Sequence, residues 1–290
     1  MERREVQMTL ELGILTPHTP RMCHEDQAPE FLNEIVEGMH QVAKVIEEAK
    51  PDVLVMISCH WLSSFKHFVD VTPEHRGILT AFECPELISD VPYYYPGDTE
   101  LASQLVAAGI ETGLPVIAVD DPTYVWDYGT IVPLRYLVPK EDIPVIDLSV
   151  TWAASLEETY AWGQQIGKVL RESDKHVMFI SSGALSHNLV RGPEAMPSLS
   201  EQALDRQFLE YLQNNDLSSA RNMLSQYARN AGVESGGRHL AALLGVLEES
   251  KKSNYYGYGQ SSGSGNVLMT FEPQHSNLNY KNPSHIVEAK

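Results

Sequence analysis

Three cysteines in 290 residues, Cys23, Cys59 and Cys84, are an odd number at wide spacing with no CxxC pair. That excludes a disulfide framework and a thiolate zinc site. Basic residues are also scarce: 21 Lys and Arg stand against 39 Asp and Glu, a formal charge of −18. Such a surface repels phosphate backbones and anionic lipid headgroups, so neither a nucleic acid nor a membrane is expected as a partner. No segment reaches the roughly 20 apolar residues of a membrane span, and the opening MERREVQMTLELGIL lacks the apolar stretch of a secretory leader. A cytoplasmic location is the resulting expectation. HExxH and the P-loop are missing too, and the glycine-rich stretch GYGQSSGSG (257–265) is not a GxGxxG following a strand, so no motif supports nucleotide binding.

What is present is an alternation of buried strands and amphipathic helices. MTLELGILT (8–16), DVLVMIS (52–58), LPVIAVD (114–120), IPVIDLSV (143–150), HVMFISS (176–182) and NVLMTFE (266–272) are short apolar runs. Most are bounded by Pro, Gly or charge, the mark of strands covered on both faces. Helical spacing governs 31–50, through Leu32, Ile35, Met39, Val42 and Ile46, and recurs at 98–112 and 155–172. Ser155 and Glu158 are spaced as a capping box. After residue 198 the pattern is helical at 200–214, at 216–230 behind Asp216 as N-cap, and at about 236–250. The fold class that follows is α/β, with one central, mostly parallel sheet covered by helices. Residues 273–290 lose all periodicity and read as a tail, mobile or engaged in an oligomer contact.

Several polar residues fall just behind the strands, at the edge where open α/β sheets bind ligands. His18 follows the first strand in ILTPHTP, His60 the second in MISCHW, and His187 the strand at 176–182 in SSGALSH; Tyr128 lies in the loop after the third, in WDYGT. Each alone suits capping or packing equally well; four together point to one shared site. A metal held by His18 and His60 needs a third ligand, and Glu234 in AGVESGGRH is the candidate, where glycines interrupt the helical pattern. A first-turn Glu favoured by the helix dipole reads the same way. Two imidazoles and a carboxylate suit non-haem Fe(II) with open positions, yet the same set binds zinc and then activates water for hydrolysis. His187, with an ordinary pKa of about 6.5, is placed as a general acid/base, and Tyr128 as a hydrogen-bond donor or a packing ring. Cys59 reads as a small buried hydrophobe. The other histidines, His24, His40, His67, His75, His176, His239, His275 and His285, read as surface or helix-face residues.

The segments TPHTP, KPDVLVMISCHW, DYGTIVPLRYL, IPVIDLS, SSGALSHN, ESGG with ALLGVL, and YGYGQSSGSGNVLMTFE occur in one order between residues 12 and 272. In these the chain resembles the class III extradiol ring-cleavage dioxygenases, a family whose members act on homoprotocatechuate, protocatechuate and 2-aminophenol. The resemblance implies a single catalytic domain over 1–272, with 273–290 outside it. It implies that His18, His60 and Glu234 hold Fe(II), that His187 is the acid/base, and that Tyr128 lines the pocket. It further implies O2 and a small aromatic diol as substrates, with a carboxylated catechol cleaved at the 2,3 position favoured and 2-aminophenol the alternative. Arg21, Arg135, Arg191 and Arg238 are candidates for a substrate carboxylate. Relatives imply a homo-oligomer or a pairing with a similar subunit. Cys59 departs from the family's usual Pro or Thr before the His-Trp pair. Outside this chemistry stand a zinc hydrolase and a non-catalytic binding protein of the same fold.

Overall fold

Alternation along the central strands divides the protein's interior in two. In the computed structural model, which describes residues 10–276 and Leu278, strands β1 (Leu10–Thr16), β2 (Val53–Ser63), β7 (Val145–Thr151) and β8 (Val177–Ser182) are buried almost throughout. Leu15, Val53, Val55, Ile57 and Phe179 face one apolar core; Leu12, Ile14, Leu54, Met56 and Ile180 face the other. A strand with apolar residues on both faces must be sandwiched between layers.

One layer holds α1 (Asn33–Ala49), α3 (Tyr128–Leu137) and a hairpin of β4 (Glu74–Leu79) and β5 (Val91–Pro96). The other holds α2 (Thr99–Glu111), α4 (Leu156–Glu172), α5 (Leu199–Gln213), α6 (Leu217–Asn230) and α7 (Arg238–Leu247). The sheet is completed by β3 (His67–Asp70), β6 (Val116–Val119), β9 (Ser250–Ser261) and β10 (Ser264–Pro273). Its eight strands run in the order β6-β3-β7-β2-β8-β1-β10-β9. The pairs β2–β7, β2–β8, β1–β8 and β3–β6 are parallel, while β3–β7, β1–β10 and β9–β10 are antiparallel. The expected α/β architecture with a mostly parallel sheet is the one observed. Among the described residues no helix is long and apolar enough to cross a membrane.

Several local expectations are corrected. The run at 114–120, expected to be covered on both faces, is the four-residue edge strand β6, which pairs only with β3 and is buried at Val116 alone. Tyr128 is not in a loop; it opens α3, a helix hidden in the sequence because Gly129 and Pro133 disguise it. The glycine-rich stretch belongs largely to β9, where Gly257 and Gly259 take buried positions packed against α1 and so carry no apolar side chain to mark the strand. At α4 only half of the capping box forms. Ser155 accepts from Glu158 N–H, but the Glu158 side chain turns to His67 instead. The complete box occurs at Ser198 and Glu201. Asp216 caps α6 through Ser219 N–H as expected. His67, His75 and His239, read as surface or helix-face residues, are buried; His285 lies outside the described residues. Of the segment 273–290, Pro273 ends β10, Ser276 is buried with its hydroxyl on Glu11, and 279–290 lies outside the described residues.

Candidate metal centre

Strand order alone brings the first residues together. Because β8 lies between β1 and β2 and runs parallel to both, the carboxyl ends of three neighbouring strands open onto one spot. His18 stands two residues beyond the end of β1. His60 arrives by a different device. Ser58 pairs with Ser149 and Leu62 with Val150, so Cys59, His60 and Trp61 bulge out opposite a single step of β7. A bulge re-aims side chains, and here its middle residue is turned to the site.

Glu234 reaches the same spot from the helical layer. The chain after β8 pairs with the chain before α7: Ser186 bridges Val233, His187 N–H donates to Gly232 O, and Glu234 N–H donates to Leu185 O. Ser235, Gly236 and Gly237 then adopt φ of 48°, 64° and 79°, three consecutive left-handed residues that turn the chain into α7. Two of the three are glycines, which bear this conformation without penalty. Ser235 offsets its own strain in part by donating from its hydroxyl to Cys59 O in the bulge.

The donor atoms converge closely. Glu234 Oε1 lies 3.1 Å from His18 Nε2, 3.4 Å from His60 Nε2 and 3.9 Å from His187 Nε2. Glu234 Oε2 accepts from Ala184 N–H at 2.5 Å. One donor atom from each of His18, His60 and Glu234 falls within 4.8 Å of the others. The tautomer of His18 follows from its neighbours. The Ser182 hydroxyl donates its one proton to Gly129 O at 2.6 Å, so toward His18 Nδ1, 2.9 Å away, it can only accept. The ring proton therefore sits on Nδ1, and a neutral His18 points the Nε2 lone pair at the carboxylate. Lone pairs facing a buried carboxylate need a cation between them. Two imidazoles and a carboxylate of this kind fit a divalent metal.

Electrostatics show the same demand for positive charge beside Glu234, met here by protonated imidazoles and by a metal ion when one is bound. Burial by itself raises the Glu234 carboxyl, but His18, His60 and His187 outweigh it and hold the group well below the usual carboxylate range. Burial lowers His60, and Glu234, Asp127 and Glu83 more than reverse it, leaving His60 above the ordinary histidine value. For His187, burial dominates and lowers it. The Tyr128 phenol is pushed far up by burial and then by Glu234, so it stays protonated; its ring centroid lies 4.0 Å from that of His60.

Some residues at the site had no sequence signal of their own. Ser58, Ser182, Asp127 and the Ala184 amide support the ligands, and Glu83, on the β4–β5 connection, brings Oε1 to 3.6 Å from His60 Nδ1. The turn of the β9–β10 hairpin is also here: Ser264 bridges His187, and Thr19 donates to Ser261 Oγ. The hairpin turn is thus tied to the segments that carry His18 and His187, a relation visible only once the hairpin folds back. Cys59 is buried behind His60, its thiol raised by burial and Glu234. His239 is fully buried and pushed down to about 4 by burial, so it is neutral. Of the four arginines, Arg238 donates to the carbonyls of Ala154, Ser235 and Trp152. Arg135 donates from Nε to Cys23 O in the last turn of α3, the end away from Tyr128.

Fold and donors together define a class: an α/β protein with two histidines and a carboxylate, able to hold one metal ion, at the carboxyl edge of its sheet. Comparison with known proteins narrows it. The family model described as the catalytic LigB subunit of aromatic ring-opening dioxygenase matches residues 12–269. The chain belongs to this family, and within it to the extradiol ring-cleavage dioxygenases. A 3,4-dihydroxyphenylacetate 2,3-dioxygenase of Escherichia coli is 25% identical over 219 residues, 73% of this chain and 79% of the relative. The beta subunit of a 2-aminophenol 1,6-dioxygenase from Pseudomonas sp is 26% identical over 283 residues, 89% of this chain and 92% of the relative. Among solved structures, an uncharacterized Escherichia coli K12 protein shares the fold with a TM-score of 0.67 over 90% of this chain and 99% of that one, at 19% identity.

Proposed function

We propose that this enzyme uses Fe(II) and O2 to open the ring of a catechol-type substrate beside its diol, and that a carboxylated catechol is its preferred substrate. The observation that carries the reading is Glu234 Oε1 facing the Nε2 atoms of His18 and His60, with His18 fixed in the tautomer that leaves Nε2 free. His18, His60 and Glu234 would hold the iron through these atoms. Bound there, Fe(II) supplies the electron transfer between diol and O2 that a redox-inert zinc does not.

The remaining steps belong to side chains of the chain itself. His187 is part-exposed at 29%, and its Nε2 faces the same carboxylate from 3.9 Å. Burial keeps it below the ordinary histidine value, so near neutrality it is an unprotonated base. It takes the proton of a substrate hydroxyl and returns one as the ring opens. Tyr128 keeps its proton and donates a hydrogen bond to a substrate oxygen. With Arg238 committed to three carbonyls and Arg135 to Cys23 O, Arg21 and Arg191 are the cations assigned to the substrate carboxylate. Arg21 follows His18 by three residues; Arg191 follows His187 by four. Iron, one substrate and O2 would share one centre, with 1–272 as the catalytic domain, and the protein would assemble with a second copy or with a similar subunit.

A second reading is favoured by the longer match, the 2-aminophenol 1,6-dioxygenase beta subunit. One experiment separates the two. Protein loaded anaerobically with Fe(II) is offered protocatechuate, homoprotocatechuate, catechol and 2-aminophenol, while O2 uptake and visible absorbance are followed. The proposal expects stoichiometric uptake and a coloured ring-opened product with a carboxylated catechol. Preference for 2-aminophenol selects the second reading, and turnover of esters or amides without O2 uptake would overturn both.

A further inference from the structure

The two histidine ligands leave different strands, yet both are tied to one short stretch, Asp127–Thr130, at the start of α3. The first tie runs to His60. Asp127 caps α3, its Oδ1 accepting Thr130 N–H at 3.1 Å. The same oxygen accepts the Ser58 hydroxyl at 2.7 Å, and Ser58 Oγ in turn accepts the backbone N–H of His60 at 3.1 Å. An amide inside a bulge has no partner on the next strand and needs one elsewhere. Here the cap carboxylate, through one hydroxyl, holds the peptide that aims His60.

The second tie runs to His18. In an α-helix the carbonyl of Gly129 would accept the N–H of residue 133, but residue 133 is proline and has none. That carbonyl is left to accept the Ser182 hydroxyl at 2.6 Å, which in turn accepts His18 Nδ1–H at 2.9 Å. Gly129 is required for the packing between the two ties. A Cβ built there would stand 2.5 Å from Ser58 Oγ and 2.9 Å from Asp127 Oδ1. Tyr128, between the two anchoring residues, is carried by the same turn.

We infer that the N-terminal turn of α3 is a common support which orients both histidine ligands at once, with Ser58 and Ser182 as the positioning residues and Asp127, Gly129 and Pro133 as the frame that directs them. The inference rests on His18, His60 and Glu234 being the metal ligands. A serine hydroxyl is small enough to delete cleanly. Ser182→Ala takes the acceptor from His18 Nδ1–H, and Ser58→Ala takes it from His60 N–H. Neither touches the cap on Thr130 N–H, although Ser182→Ala also takes the donor from the Gly129 carbonyl. Asp127→Asn keeps an oxygen that can accept both hydrogen bonds and still cap the helix; Asp127→Ala keeps neither.

The test is anaerobic titration of the full chain with Co(II), read by its visible absorption, beside thermal melting of the metal-free protein. Loss of a partner that orients a ligand typically weakens metal binding by about 10- to 100-fold. Ser182→Ala and Ser58→Ala should each weaken Co(II) by roughly 10-fold or more and alter the shape of its spectrum, with the metal-free protein still melting cooperatively. Asp127→Asn should bind as the wild type does, and Asp127→Ala should be weak. Wild-type Co(II) affinity in both serine variants would overturn the inference, as would weakening confined to Asp127→Ala, which marks a helix cap and nothing more. A wild-type protein that binds no Co(II), or a His60→Ala variant that binds it equally well, would refute the ligand assignment itself and the inference with it.

Discussion

Among the described residues two buried clusters pair a carboxylate with histidine, and they are built to opposite ends. In the first, Glu234 has one backbone donor, Ala184 N–H on Oε2, while Oε1 faces the Nε2 atoms of three histidines. In the second, Asp70 is buried between β3 and the β4–β5 hairpin. Thr72 N–H donates to its Oδ1, and Trp126 Nε1–H and His75 Nδ1 both meet its Oδ2. His75 also stacks on Trp126 at 4.2 Å. Asp70 therefore has donors for both oxygens, whereas Glu234 Oε1 meets a nitrogen whose proton has been drawn off to Ser182. The difference lies in where the protons are held, not in which residues are present. A carboxylate ringed by N–H donors is a finished structural joint, and one that faces lone pairs is completed by a cation.

The sharpest way to break this contrast is to delete each carboxylate. Glu234→Ala should abolish metal binding and ring opening, measured by metal content and by the coloured product. His187→Ala should lower turnover by about 10²- to 10⁴-fold with metal content unchanged; lost metal instead would make His187 a ligand. Asp70→Ala, by contrast, should cost about 3–5 kcal/mol of stability by denaturant unfolding, as breaking a buried pair does, with metal still bound at the Glu234 cluster. Chelation should lower the stability of the wild type by about 2.7 kcal/mol relative to protein holding free metal at a hundredfold its Kd. It should leave Glu234→Ala unmoved.

The smallest effect concerns acid. Burial raises the Asp70 carboxyl, but His75 and then Thr72 outweigh it, so its folded value lies below the ordinary 3.8. A carboxyl depressed on folding stabilises the protein above its unfolded value and loses that stabilisation as pH falls through the folded one. Wild type should therefore lose stability below pH of about 4, and Asp70→Asn should lose less across the same interval. Equal slopes in pH-dependent unfolding would mean that the second cluster does not hold its proton balance as described.

The sequence is informative where a single physical rule governs. Strands β1, β2, β7, β8 and β10 appear as short apolar runs because both faces are buried, and α4 and α6 because caps mark their starts. It fails where two rules conflict. In α3, Gly129 and Pro133 argue against helix, yet Gly129 makes room for Ser58 and Pro133 leaves the Gly129 carbonyl to Ser182, relations that no local window contains. In β9, glycines at buried positions allow the approach of α1 and leave no apolar alternation to read in the sequence. At the site, His18, His60, Tyr128, His187 and Glu234 could all be singled out, four by position behind strands and one by the glycines beside it. Ser58, Ser182 and Asp127 could not, because serines and aspartates are common and their meaning here depends on strand order and on a bulge. The meeting of His18 with Glu234, 216 residues apart, depends on Val233 pairing with Ser186, a short bridge with no pattern of its own.

The contrast between the clusters has one direct test: crystals of the protein grown anaerobically with Fe(II), and an anomalous difference map collected at the iron edge. The account predicts a single peak per chain, enclosed by His18 Nε2, His60 Nε2 and Glu234 Oε1, and no density at Asp70 and His75. A peak at the second cluster, or none at the first in iron-loaded crystals, would contradict it.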